Sequence, residues 1–213
     1  TVDTGHVREW LAHLMRSNYA PNTVNRSLSA LLSFYRYLLR EGLVSSDPAH
    51  NVRNPKAPKR IPGFVREGEM DRLFRYYRFG EDYAGRRDRT LLLLLYHTGL
   101  RAAEVLGLNL GDVDLSTAQL RVTGKGNKQR VVPFGAELTN ALRDYLPVRR
   151  EFLQRFPTDE NALFLSSRGH RLGYSTLRTM VRTALSAVTT QQKKSPHVLS
   201  HSLATAMLNH GAQ

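Results

Sequence analysis

The chain has 213 residues, no cysteine, and 31 Lys+Arg against 18 Asp+Glu, a formal charge of +13. That length suits one large domain or two small ones, and 41% hydrophobic residues can fill a core, which excludes disorder by composition. The absence of cysteine excludes disulfides, thiolate metal sites and a cysteine nucleophile, while the excess positive charge points to a polyanionic partner, nucleic acid first.

Val7, Trp10, Leu11 and Leu14 recur at helical spacing and predict a first helix. Pro21 and Asn22 open a longer helix that Gly42 closes. Its apolar stripe is Val24, Leu28, Leu31, Leu32, Tyr35, Leu38 and Leu39. A second stripe, Asn22, Arg26, Ser29, Ser33, Arg36 and Arg40, combines small hydroxyls with guanidinium groups. It is equally a phosphate-facing surface or an ordinary solvated face. Residues 54–63, Asn-Pro-Lys-Ala-Pro-Lys-Arg-Ile-Pro-Gly, hold three prolines and three basic residues, Lys59 and Arg60 among them, with no acid. That composition predicts an extended basic linker over 55–63 between a helical domain at 1–54 and a second domain at 64–213. Both sides are basic, +5 for residues 1–63 and +8 for the rest, as if both touch one polyanion.

In the second domain the patterns predict helices over Glu67–Arg78 and Arg86–His97, then strands over Gln119–Thr123 and Gln129–Phe134 around a Gly124–Lys128 hairpin tip. Ala162–Leu165 is expected as a third strand. Helical patterns follow at Ala136–Gln154, Ser175–Val188 and His197–Asn209. The longest apolar run, Leu91–Leu95, falls far short of the roughly 20 residues of a membrane span. Thr1 in place of an initiator methionine reads as a trimmed start, with no signal peptide. The fold class expected is mainly α with a small antiparallel β-sheet, in two domains.

Three segments carry chemistry. In Thr98-Gly99-Leu100-Arg101-Ala102-Ala103-Glu104, glycine ends an apolar helix and Arg101 opens the next, where its fork and the helix N-terminus can face a phosphate. Glu104, three residues on, is placed to buttress it. Alone, the segment is better explained as a surface cap with an ion pair. Lys125, between Gly124 and Gly126, sits where a mobile general acid would, although a basic turn explains it as well. Pro196-His197-Val198-Leu199-Ser200-His201 puts two histidines four residues apart. Val198 stands where a zinc hydrolase needs glutamate, so no metal is expected.

Together these segments resemble the tyrosine recombinase and phage integrase family. Thr98–Leu108 is similar to its first arginine box, Gly124–Arg130 to its β-hairpin lysine segment, and Pro196–Asn209 with Gly211-Ala212 to its His-x-x-Arg box. The separations match too, 24 residues from Arg101 to Lys125 and 96 to His197. The likeness is to Xer-type chromosome-dimer recombinases and similar mobile-element integrases, and it extends to the helical N-terminal half, which is similar to the family's core-binding, SAM-like domain. It implies strand cleavage through a 3′-phosphotyrosyl link without cofactor or metal. Arg101 and His197 would hold the scissile phosphate, Glu104 would support Arg101, and Lys125 would protonate the departing 5′ oxygen. Arg26, Ser29, Arg36, Arg40, Lys59, Arg60, Lys128 and Arg130 would contact the DNA backbone. The implied partner is a duplex recombination site, bound by a homo- or hetero-tetramer on paired sites, in the cytoplasm at the nucleoid. Two departures count against activity. Ser200 occupies the place of the family's second arginine, and the family's nucleophilic tyrosine falls beyond Gln213, with Tyr145 and Tyr174 lying before the His box. This chain is therefore expected to bind DNA without completing cleavage, the alternative being a recombinase-derived DNA-binding regulator.

Overall fold

A computed structural model of the chain describes residues 2–56, 65–156 and 160–200, apart from the side chain of Lys125. The backbone divides into two compact units, Thr1–Ile61 and Pro62–Gln213.

The first unit is built on two helices, α1 (Thr4–Arg16) and α2 (Pro21–Arg40). Asp3 caps α1 by accepting the His6 N–H at 2.9 Å. Pro21 enters α2 at a position whose N–H would have no partner in any case, and Gly42 ends the helix with φ 68°. Val7, Leu11, Val24, Leu28 and Ala49 form a small core, with Leu14, Leu31, Leu32 and Val52 packed on it. Two members of the expected apolar stripes are corrected: Trp10 and Leu39 are exposed. The thirteen residues of α1 are too few to cover the twenty of α2, so the stripe of α2 is buried at Val24 and Leu28 but open toward its end. The linker expected over 55–63 lies outside the described residues from 57 onward. Pro55 accepts a hydrogen bond from the Asn25 amide at 3.1 Å.

The second unit runs α3 (Glu67–Tyr76), α4 (Tyr83–Thr98), α5 (Ala102–Gly107), β1 (Val113–Asp114), β2 (Gln119–Thr123), β3 (Gln129–Pro133), α6 (Ala136–Leu153) and α7 (Tyr174–Ser186). A further helical turn covers residues 196–200. Every residue from Leu91 to Leu95 is fully buried, so this stretch of α4 is apolar all round and forms the axis of the core. The antiparallel sheet has order β1-β2-β3, with Leu120 and Val122 of β2 facing inward. Asp114 shapes the β1–β2 turn by accepting the Ser116 hydroxyl and the N–H groups of Ser116 and Thr117. These bonds, the Ser116 hydroxyl foremost, pull its carboxyl down to about 2. The structure is thus mainly helical with a small antiparallel sheet, in two domains.

Ala162–Leu165 is not a strand of this sheet; β1 is the third strand instead. The segment is buried as its apolar residues require, yet only single bridges, Asn109 with Ala162 and Leu165 with Arg171, tie it to backbone. Side chains take up its carbonyls. Arg149 Nε donates to Ala162 O at 3.0 Å, and its Nη2 to Glu160 O at 2.7 Å. The Tyr145 hydroxyl donates to Leu163 O at 2.9 Å, while the Tyr83 hydroxyl and Arg87 Nη1 both reach Leu165 O at 3.0 Å. A tyrosine used this way is structural: burial drives the Tyr145 phenol far above its ordinary pKa.

Arg149 is 3% exposed, so its loss would strand several buried carbonyls. Arg149→Met is expected to destabilise the second unit by about 3–5 kcal/mol, read as a lower urea midpoint. A midpoint equal to the parent's would show that other donors take over those carbonyls.

Candidate active site

The turn between α4 and α5 presents Arg101, and hydrogen bonds pin the backbone on both sides of it. Gly99 takes the left-handed conformation, φ 62°, and its N–H closes on Leu95 O at 3.2 Å. The Thr98 hydroxyl donates to Leu94 O at 2.6 Å and accepts the Leu100 N–H at 3.4 Å. The Arg101 N–H donates to the Glu104 carboxylate at 2.9 Å, and Arg101 O accepts the Val105 N–H at 3.0 Å. The arginine's backbone is therefore pinned while its side chain stays 72% exposed. Helix α5 has only six residues, and its flanking N–H is already taken by Glu104.

Glu104 is the centre of the site. Its side chain is 6% exposed, and its oxygens accept from Arg130 Nη1 and Nη2, each at 3.0 Å, and from Arg101 Nη1 at 3.3 Å. The Arg130 hydrogen bonds are the main reason its carboxyl lies below the usual range, opposed by burial and helped by the Arg101 N–H. Arg130 stands on β3 opposite Val122, and Gly124 lies directly beside the pair. A Cβ on Gly124 would come within 3.1 Å of Arg130 Nη1 and 3.5 Å of Glu104 Oε1, so the hairpin approaches this closely because that residue is glycine. The next residue is Lys125, whose backbone turns at the hairpin tip with Gly126 and Asn127 at positive φ.

Ser200 reaches the same turn from the other side. Its hydroxyl donates to Leu100 O at 2.7 Å, so it docks on the peptide that carries Arg101. Pro196, Val198 and Leu199 anchor this helical turn in the core, while His197 is exposed one turn before Ser200. The structure thus gathers Arg101, Glu104, the Lys125 hairpin and Ser200 into one region. His201 lies outside the described residues.

Of the residues assigned to the DNA backbone, Arg26, Ser29, Arg36 and Arg40 are all exposed along α2. Ser29 and Ser33 turn their hydroxyls back onto Asn25 O and Ser29 O, and Arg40 lies over Tyr37 and pairs with Glu41 at 3.3 Å. Lys128 is exposed on the hairpin. Lys59 and Arg60 lie outside the described residues. Arg130 departs most from expectation, because its fork is committed to Glu104. Sequence reasoning missed this pair, since nothing in a 26-residue separation says which carboxylate a strand arginine will meet. Among the described residues there is no cluster of side chains that could hold a metal ion, and no helix long and apolar enough to cross a membrane.

Comparison with known proteins gives this two-domain fold a family. The model of the phage integrase family matches residues 64–213, and that of the phage integrase N-terminal SAM-like domain matches residues 1–42. The chain is 40% identical over 230 residues to tyrosine recombinase XerC of Chlorobaculum parvum, covering 99% of this chain and 68% of that protein. It is also 40% identical over 214 residues to XerC of Pelotomaculum thermopropionicum, covering 99% and 70%. It therefore spans about two thirds of the length of these relatives. Among solved structures, the XerH recombinase bound to palindromic difH substrate in a post-cleavage complex superposes with a TM-score of 0.83 at 21% identity, covering all of this chain and 63% of that one. The XerA recombinase superposes at 0.61 with 27% identity, covering all of this chain and 71% of that one. The chain belongs to the phage integrase family of tyrosine recombinases.

The depressed Glu104 carboxyl makes a pH prediction. A lowered carboxyl stabilises the fold above its unfolded pKa, near 4.5, and that contribution disappears as pH falls through the lower folded value. Glu104→Gln should therefore be less stable than the parent at pH 7, with the difference shrinking below about pH 4.5. Urea unfolding at a series of pH values checks this; a difference that persists undiminished to pH 3 would remove the ion pair as its cause.

Proposed function

We propose that this chain is the DNA-clamping part of a site-specific recombinase, binding a duplex recombination site through both domains, 1–54 and 64–213, with residues 55–63 between them. The observation that carries the reading is Arg101: exposed, fixed by its backbone, and set beside the lysine hairpin and the His197 turn by a carboxylate that has its own counter-ion. In the cleavage step a tyrosine hydroxyl passes its proton to solvent, its oxygen attacks the scissile phosphorus, and the bond to the 5′ oxygen breaks. Arg101 and His197 stabilise the charge on the phosphoryl oxygens, and Lys125 delivers the proton to the leaving oxygen. The 3′-phosphotyrosyl link keeps the phosphodiester energy for rejoining. The exposed guanidinium groups of Arg26, Arg36 and Arg40, with Lys59, Arg60 and Lys128, hold the DNA backbone. Assembly on paired sites would be tetrameric, of like or unlike chains, at the nucleoid.

One observation favours a second reading, a DNA-binding regulator without catalysis. Ser200 stands where the family pattern has its second arginine, and its hydroxyl is spent on Leu100 O. A serine brings neither charge nor a bidentate fork to a phosphate.

Two experiments test these readings. Duplex binding that neutralises about six phosphates would show a slope near −5 in a plot of log affinity against log salt concentration. Binding that is absent, or indifferent to salt, would refute the DNA-clamping role. In a longer protein that carries the tyrosine segment, Ser200→Arg should raise covalent adducts on a suicide substrate by about two to four powers of ten, the worth of roughly 3–5 kcal/mol at the transition state. Equal yields would place residue 200 outside the chemistry or show that another cation already serves.

A further inference from the structure

We propose that Arg130 is a positioning residue for Arg101: it neutralises Glu104 and so leaves Arg101 held in place with its own charge free for a phosphate. The inference rests on the function proposed above and assigns Arg130 a different part in it from a DNA backbone contact.

The geometry separates the two arginines. Arg130 gives both terminal nitrogens to Glu104, one to each oxygen, at 3.0 Å. Arg101 gives one, at 3.3 Å, and its side chain is 72% exposed against 45% for Arg130. Were Arg101 the only partner of Glu104, the carboxylate would cancel the charge that a phosphate needs. With Arg130 present the trio carries a net positive charge, and the loosely held member is the exposed one. Turning Arg130 toward DNA would leave a carboxylate of 6% exposure without its bidentate partner, which is costly for a buried charge. The same pair fastens the hairpin. Arg130 on β3 pairs with Val122 on β2, the Gly124 N–H closes on Lys128 O at 2.8 Å, and Gly124 packs against both members of the pair. Arg130 therefore ties the strand that leads out of the Lys125 turn to the carboxylate that holds Arg101.

Side-chain NMR of the arginine Nε–H groups in the whole chain tests this directly, with the Arg101 signal assigned by its loss in Arg101→Lys. In the parent the loosely held Arg101 Nε–H should show an order parameter below about 0.6, and in Arg130→Gln, where Glu104 turns wholly to Arg101, it should rise toward that of rigid backbone, roughly 0.8, while backbone amides of the core keep their positions. Arg130→Lys keeps the charge without the fork and should raise Arg101 order by a smaller amount. If Arg130→Gln does not fold, Arg130→Lys decides alone. The second measurement is duplex binding. In a positioning role Arg130 acts through Arg101, so Arg130→Gln lowers the salt slope in the parent but not further in an Arg101→Gln background, whereas a direct phosphate contact lowers it by about 0.9 in either background. Unchanged Arg101 order in the variants, or a slope lowered by that amount in the Arg101→Gln background, would overturn the proposal. Absence of duplex binding by the parent would sink the function proposed above but leave the Arg101 result to stand or fall by itself.

Discussion

The arrangement of the site depends on a carboxylate buried between two guanidinium groups. Glu104 cannot keep its charge at 6% exposure unless donors surround it, and they come from three directions: the Arg101 backbone, the Arg101 side chain and the Arg130 fork. The donors belong to two pieces of structure. The Arg101 backbone is the exit of α4, and Arg130 is on β3. The need of one carboxylate for partners thus fixes the sheet against the α4–α5 turn, and the Lys125 hairpin follows because it joins β2 to β3. From the other side the Ser200 hydroxyl closes on Leu100 O, so the helical turn bearing His197 is registered to the same peptide.

A similar logic holds the rest of the second unit together. Ala162–Leu165 run through the interior with little strand pairing, and Arg149, Arg87, Tyr83 and Tyr145 serve carbonyls of this segment from α4 and α6. Arg171, further along, donates to Leu106 O at 2.9 Å and Leu108 O at 3.2 Å, the open carbonyls at the end of α5. The guanidinium groups of this basic chain therefore fall into two kinds. Arg87 and Arg149 are buried and spend their hydrogen bonds on the fold, whereas Arg26, Arg36 and Arg101 are exposed. Net charge alone overstates how much positive surface is free for a polyanion.

Much of this was legible in the sequence where the signal is local. The periodicity of α1, α2, α4, α6 and α7, the β2–β3 hairpin and the glycine that ends α4 all follow from residues within a few positions of one another, where backbone propensity and steric freedom act. The support of Arg101 by Glu104 was legible too, because three residues on a helix start are neighbours in space. Strand formation at Ala162–Leu165 was not legible. A buried apolar run satisfies its carbonyls either from a neighbouring strand or from side chains such as Arg149 and Tyr145, and only packing determines which is present.

The sequence by itself determined the family, the mainly helical class and the order of the three motif segments, because each is written in contiguous residues. Tertiary structure alone decided that Arg130 serves Glu104, that Gly124 must be small to let the hairpin approach, and that Ser200 docks on the Arg101 turn from 100 residues away. These are matters of register and close approach between distant segments. A charge or a hydroxyl has many acceptors to choose from in the sequence, and the choice is made only when burial removes water as an alternative.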